Sequence, residues 1–188
     1  MDTVFSLQLR PADRPAEDER WRNAARAGEP WALEQLYAEQ QASVYSLCRR
    51  LGARAEDAED LTQAVFVRAF RELPRFRGES TVKTWLYRIA VNEALGFLRR
   101  RRGTVELPED LAELPDAGSP AEQVVERVAV QAALARIRPD HRAVLVLRFW
   151  EGLSYGELAA VLRISLPAAK MRLLRARLEF RQRYEETP

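Results

Sequence analysis

The chain has 188 residues, enough for one domain of ordinary size or two small ones, and 47% of them are hydrophobic, which excludes a wholly disordered polypeptide. Its 30 Lys and Arg against 28 Asp and Glu leave a net charge of only +2, and it holds one cysteine and one histidine, so an internal disulfide, a zinc cluster and a Cys/His nucleophile are all excluded. No glycine-rich phosphate loop, HExxH motif, secretory signal or apolar run of transmembrane length occurs; the expectation is a soluble cytoplasmic protein without cofactor or metal that is not an enzyme.

The small net charge hides a segregation. Arg99 to Arg102 are consecutive arginines, residues 103–126 hold no Lys or Arg but many acids, and basic residues return from Arg163 to Arg183 with Glu179 the only acid. Two basic zones separated by an acidic spacer point to two polyanion-binding modules on a tether.

Residues 1–15, punctuated by Pro11 and Pro15, read as a disordered leader. Residues 16–27 have helical composition with acids leading; Gly28 suits a C-cap and Pro30 the first turn of the next helix. Residues 31–51 carry Leu33, Leu36, Tyr37, Val44, Tyr45, Leu47, Cys48 and Leu51 at helical spacing, with Cys48 a small core residue and Gly52 the stop. In residues 56–73, Leu61, Ala64, Val65, Ala69 and Leu73 are expected to share a face, Phe66 and Phe70 to flank it, and Pro74 to end the helix. No strand-length alternation occurs anywhere, so the predicted fold class is all-α, with two small helical domains.

The polar stretch RFRGEST, residues 75–81, reads as a loop around Gly78. The helix that follows, VKTWLYRIAVNEALGFLRRRR over 82–102, is not cleanly amphipathic. Val82, Leu86, Ile89 and Phe97 form one stripe; Lys83, Trp85, Tyr87, Arg88, Asn92 and Arg99 spread over the other sides, so the helix is either packed on several sides or carries binding chemistry. Cations interleaved with aromatics (Arg75, Phe76, Arg77, Lys83, Trp85, Tyr87, Arg88) suit single-stranded nucleic acid, where charges track phosphates and rings stack on bases at about 1–3 kcal/mol each. The competing reading is that Phe76 and Trp85 are core anchors.

Residues 103–120, rich in proline, glycine and acids, read as a linker whose extended span is roughly 60 Å. A helix is predicted from Ala121 to Ile137 and another from His141 to Trp150, closed by Gly152. Ser154-Tyr155-Gly156-Glu157 has the form of a capping box, and opens a short helix with Leu158, Val161 and Leu162 inward and the small Ala159 at a close crossing. Arg163-Ile164 makes the turn. Ser165 N-caps the next helix with Pro167 in its first turn. Ala169, Leu173, Ala176 and Phe180 point inward, leaving Lys170, Arg172, Arg175 and Arg177 to line other faces. A helix-turn-helix whose second helix is so basic fits a DNA major groove.

Three stretches together resemble a known family. EDAEDLTQAVFVRAF, FRGESTVKTWLYRIAVNEALGFLRRRR and RPDHRAVLVLRFWEGLSYGELAAVLRIS…AKMRLLRAR are similar to regions 2.2, 2.3–2.4 and 4 of bacterial sigma-70 factors of the extracytoplasmic-function (ECF) group, in that order and with no domain between. The resemblance implies a region 2-like domain over 16–102, a linker over 103–120 and a region 4-like domain over 121–188. It implies that Asp60, Leu61, Gln63 and Phe66 bind the clamp helices of the largest subunit of core RNA polymerase. It assigns reading of the melted −10 strand to Arg77, Gly78, Ser80, Lys83, Trp85, Arg88, Asn92, Arg99 and Arg100. Ser165, Pro167, Ala168, Lys170, Met171, Arg172 and Arg175 are then expected in the −35 major groove, with the polymerase flap, promoter DNA and an anti-sigma protein as further partners and no membrane insertion. The chain departs from the family pattern at Arg163, where the turn often has Gly, at Pro167-Ala168-Ala169 and at Met171. The alternative function is a free-standing helix-turn-helix regulator that binds duplex DNA without polymerase and dimerises through residues 16–102.

Overall fold

A computed structural model describes residues 15–100 and 121–186, and among these every regular element is helical. The expected leader and acidic linker lie almost wholly outside the described residues. The first module comprises α1 (Pro15–Ala27), α2 (Pro30–Arg50), α3 (Ala55–Glu72), a 3₁₀ turn (Leu73–Arg75) and α4 (Val82–Arg100). The second comprises α5 (Ala121–Arg136), α6 (Pro139–Phe149), α7 (Tyr155–Leu162) and α8 (Leu166–Glu185).

Local chemistry sets the boundaries. Gly28 and Gly52 hold φ of +75° and +105° where the chain leaves α1 and α2. Pro74 does not stop α3 abruptly; a proline tolerates the first positions of a tightened turn, and Leu73–Arg75 coils into one before the loop. Proline also opens α6 two residues ahead of the expected His141.

The first module packs α2 on α3 and α4 through Leu36, Val44, Leu47, Cys48, Leu61, Val65, Phe66, Ala69, Leu86 and Val91, all buried. Burial pushes the Cys48 thiol up to about 12, so it is an inert core group. Two expected core positions face outward: Ala64 is exposed, because Leu61, Val65 and Ala69 already fill the stripe against α2, and Tyr37 is 38% exposed while its ring still meets Phe66 edge-on at 4.8 Å.

Helix α4 resolves the choice left by its mixed pattern. It packs on α2 and α3 with one side and on α6 and α7 with another, which is why Trp85, Leu86, Tyr87, Ile89, Ala90 and Val91 are all buried. The buried apolar residues consequently form one continuous cluster that runs through both modules. No described helix is long and apolar enough to cross a membrane.

Candidate nucleic-acid interface

Two surfaces gather the basic residues. The first is built by the loop between the 3₁₀ turn and α4. Gly78, at φ +76°, turns the chain, and Thr81 starts α4 by accepting from the Thr84 amide at 3.1 Å. Arg26 of α1 fixes the loop from behind by donating to the Phe76 carbonyl at 2.9 Å. The result is an open cavity of about 430 Å³ lined by Glu72, Arg75, Phe76, Arg77, Glu79, Ser80, Trp85 and Arg88.

Four of the expected strand-reading residues, Arg77, Ser80, Trp85 and Arg88, thus meet at one cavity; Gly78 is not among its lining residues but turns the chain between Arg77 and Glu79. Trp85 is only 3% exposed and lies against Phe76 with ring centroids 5.2 Å apart, so it is a core anchor whose edge forms the wall, not a free stacking platform. Asn92, Arg99 and Arg100 are exposed farther along α4 and do not line the cavity. Lys83 points elsewhere: its Nζ lies 3.9 Å from Glu151 and 5.1 Å above the Tyr87 ring.

The second surface is the helix-turn-helix. Ser154 and Glu157 form a complete capping box, the hydroxyl accepting from the Glu157 amide and the carboxylate accepting from the Ser154 amide at 2.9 Å. Arg163 sits in the left-handed region (φ 54°, ψ 46°), which costs a non-glycine residue about 1 kcal/mol. The Ser165 hydroxyl accepts from the Ala168 amide at 3.3 Å and starts α8. Ala169, Leu173 and Ala176 are buried and set the roll of that helix.

This roll turns Ala168, Met171, Arg172 and Arg175 toward the start of α6, where they line a cleft of about 340 Å³ with Arg138, Asp140 and His141. Glu179 braces the cleft, accepting from the Arg138 amide at 3.2 Å and meeting His141 Nδ1. Pro167 and the cap Ser165 are exposed at the helix tip. Lys170 lies off to the side, 5.7 Å above the Tyr155 ring that also receives Arg148.

Of the expected polymerase contacts, Asp60 and Gln63 are exposed on the outer side of α3, and Gln63 lines a shallow depression with Tyr37, Tyr45, Glu59 and Thr62. Leu61 and Phe66 are 6% and 2% exposed and hold α3 onto its neighbours, so any contact there is made by the side chains around them.

Arg26, Arg138 and Asp140 were not among the expected site residues. Arg26 carries no motif signal, because it works through a backbone carbonyl 50 residues away. Arg138 and Asp140 stand beside the helix-opening Pro139, a local signal that the helix end faces the cleft.

Comparisons with known proteins follow the same division. Residues 36–104 match the family model for Sigma-70 region 2, and residues 127–180 match Sigma-70, region 4. The chain is 38% identical over 154 residues to the ECF RNA polymerase sigma factor SigE of Mycolicibacterium smegmatis, covering 79% of this chain and 60% of that protein, so it spans less than two thirds of that relative's length. It is 31% identical over 174 residues to the RNA polymerase sigma-H factor of Pseudomonas aeruginosa, covering 86% of this chain and 90% of that one. Among solved structures it is similar to CnrH in complex with the cytosolic domain of CnrY, with TM-score 0.70 and 26% identity over 91% of this chain and 99% of that one. The helical organisation, the loop cavity, the capped helix-turn-helix and these matches agree: the chain belongs to the sigma-70 family of RNA polymerase sigma factors, in its extracytoplasmic-function group.

Proposed function

We propose that the chain binds core RNA polymerase and selects promoters by a two-point grip, reading the −10 element at the loop cavity and the −35 element with α8. The observation that carries this reading is the presence in one chain of two differently built basic sites. The cavity of Arg75, Arg77 and Arg88 beside Trp85, with Glu72 and Glu79 also in its lining, has a volume of about 430 Å³, room for one extruded base. The α8 face of Met171, Arg172 and Arg175 suits a duplex groove, where arginine pairs best with guanine. Asp60 and Gln63 are assigned to the polymerase clamp. An anti-sigma protein is the expected regulator.

A free-standing duplex regulator is not favoured. Its first module would serve dimerisation, and such a domain has no use for a loop held open over a tryptophan by an arginine from a neighbouring helix.

Arg172→Ala and Arg175→Ala test the −35 assignment. Each is expected to reduce transcription from a −35-dependent promoter roughly 5- to 150-fold, equivalent to about 1–3 kcal/mol, while leaving the melting curve unchanged. Selectivity among −35 sequence variants, measured with reconstituted polymerase, checks it. Unaltered selectivity in both variants removes these arginines from base reading.

A further inference from the structure

Helix α1 supplies a cationic wall behind the loop that leads into α4. The helix packs on α2 and on the 3₁₀ turn; Ala24 and Ala25 are buried, and Trp21 Nε1 donates to the Ala32 carbonyl at 3.0 Å. Arg22 and Arg26, one helical turn apart, share a face of α1. Arg26 Nε donates to the Phe76 carbonyl at 2.9 Å, and Arg22 Nη1 stands 3.4 Å from where a Cβ on Gly78 would lie. The charged face of α1 therefore lies along the loop.

A second open cavity, of about 510 Å³, lies on this side of the loop, lined by Arg26, Pro74, Arg75, Phe76 and Arg77. Arg75, Phe76 and Arg77 line both this cavity and the one that holds Trp85 and Arg88, so the loop is a ridge between the two. The two sides differ in charge. The α4 side includes Glu79 and also Glu72, which pairs with Arg68 at 2.8 Å. The α1 side has the guanidiniums of Arg26, Arg75 and Arg77 and, among the described residues, no carboxylate. All three arginines are exposed, and among the described residues none is ion-paired with a carboxylate. Like charges gathered without a counter-ion repel one another, and an anion placed between them turns that repulsion into attraction.

An extruded base swings away from its own backbone, so the base and its phosphates need separate places. Glu72 and Glu79 make the α4 side a poor place for a phosphodiester, whereas a guanidinium fork matches phosphate oxygens two at a time. Resting on the −10 reading above, we propose that the α1-side cavity is a phosphodiester subsite. With a base of the melted strand in the α4-side cavity, an adjoining phosphate crosses the ridge and sits among Arg26, Arg75 and Arg77. Arg26 then contacts the strand from outside residues 36–104, the span that matches Sigma-70 region 2. It braces the Phe76 carbonyl through Nε and offers its Nη atoms to the phosphate. A backbone contact of this kind adds affinity and fixes register without choosing a base.

The test uses the full chain assembled with core polymerase and a short fluorescent DNA single strand carrying the −10 sequence of a promoter from which the chain initiates. Anisotropy reads binding over a range of salt. Arg26→Ala is expected to weaken binding roughly 5- to 10-fold and to make the slope of log K against log salt shallower by about 0.7, the share of one phosphate on a single strand. Arg26→Lys keeps the charge and should keep the slope, although its ammonium is a poorer brace. Arg20→Ala removes an exposed arginine elsewhere on α1 and should change neither slope nor affinity. Replacing the strand's phosphates one at a time by neutral methylphosphonate locates the contact: at one position beside the extruded base the replacement weakens wild type but not Arg26→Ala. Arg26→Gln, which still has a donor for the Phe76 carbonyl, stands in if Arg26→Ala does not fold. Lost affinity with an unchanged slope and no such position makes Arg26 a brace only and overturns the subsite. An equal change of slope in Arg20→Ala overturns it too, because the effect is then a diffuse field. Arg77→Ala and Arg88→Ala separate the two readings. If they weaken strand binding while the Arg26 variants bind as wild type, the −10 reading stands and the subsite falls; if wild type does not retain the strand, both fall.

Discussion

Replacing Trp85 by alanine is expected to lower the unfolding free energy by about 3–5 kcal/mol, the usual cost of emptying a large aromatic site. Trp85 is 3% exposed, and its ring both packs on Phe76 and forms the wall of the loop cavity. The void would therefore open at the joint between the loop and α4. For a chain of this size the loss corresponds to a melting temperature lower by roughly 10 °C. Trp85→Phe keeps most of the apolar contact and should cost much less, leaving a folded protein with a widened cavity. Chemical denaturation of both variants checks the claim. A loss under about 1 kcal/mol for Trp85→Ala would mean that the ring is not a core anchor.

Arg142→Met carries the second large effect. The guanidinium is buried, its pKa is lowered to about 10 by desolvation, and it therefore remains protonated at neutral pH. Among the described residues its hydrogen-bond partners are the carbonyls of Leu134, Ala135 and Leu51, so methionine of similar length would leave three acceptors without their donor. The expected loss is about 3 kcal/mol in thermal or denaturant unfolding. Arg142→Lys should recover little of it, because one ammonium cannot reproduce the planar fork that serves two carbonyls of α5 and one from the turn after α2. Equal stability of the lysine variant and the parent would contradict this role.

The parts of the fold that were readable from the sequence are those whose causes lie within a few residues. The Ser154/Glu157 box, the Ser165 cap, the turn at Arg163 and the loop at Gly78 are each set by neighbouring atoms, and each occurs where the residues place it. The inward set Ala169, Leu173 and Ala176 followed from helical spacing alone. Spacing did not say how many neighbours a helix has. Tyr87 looked like part of a binding face of α4, yet it is fully buried because its partner, Glu151, is 64 residues away. Arg142 and Glu151 sat unnoticed for the same reason: the Leu51 carbonyl and Arg50 that they meet lie 91 and 101 residues distant. Leu61 and Phe66, expected as polymerase contacts, are buried by the helix period, while Asp60 and Gln63 of the same motif are exposed.

The departures at Pro167-Ala168 and Met171 acquire a meaning from the cleft. Ala168 and Met171 line it with Arg172 and Arg175, so the cleft proposed for the −35 contact has an apolar half and a cationic half. Apolar side chains in a major groove favour the thymine methyl group, so a −35 element that includes A·T pairs beside a guanine is the sequence this face suits.

The central claim is tested most directly by adding the purified chain to core RNA polymerase with a library of genomic promoter fragments and mapping the transcripts. Start sites that depend on the chain and share upstream elements near −10 and −35 are the predicted result. No chain-dependent transcript from any fragment, together with retardation of duplex DNA by the chain alone, would contradict it.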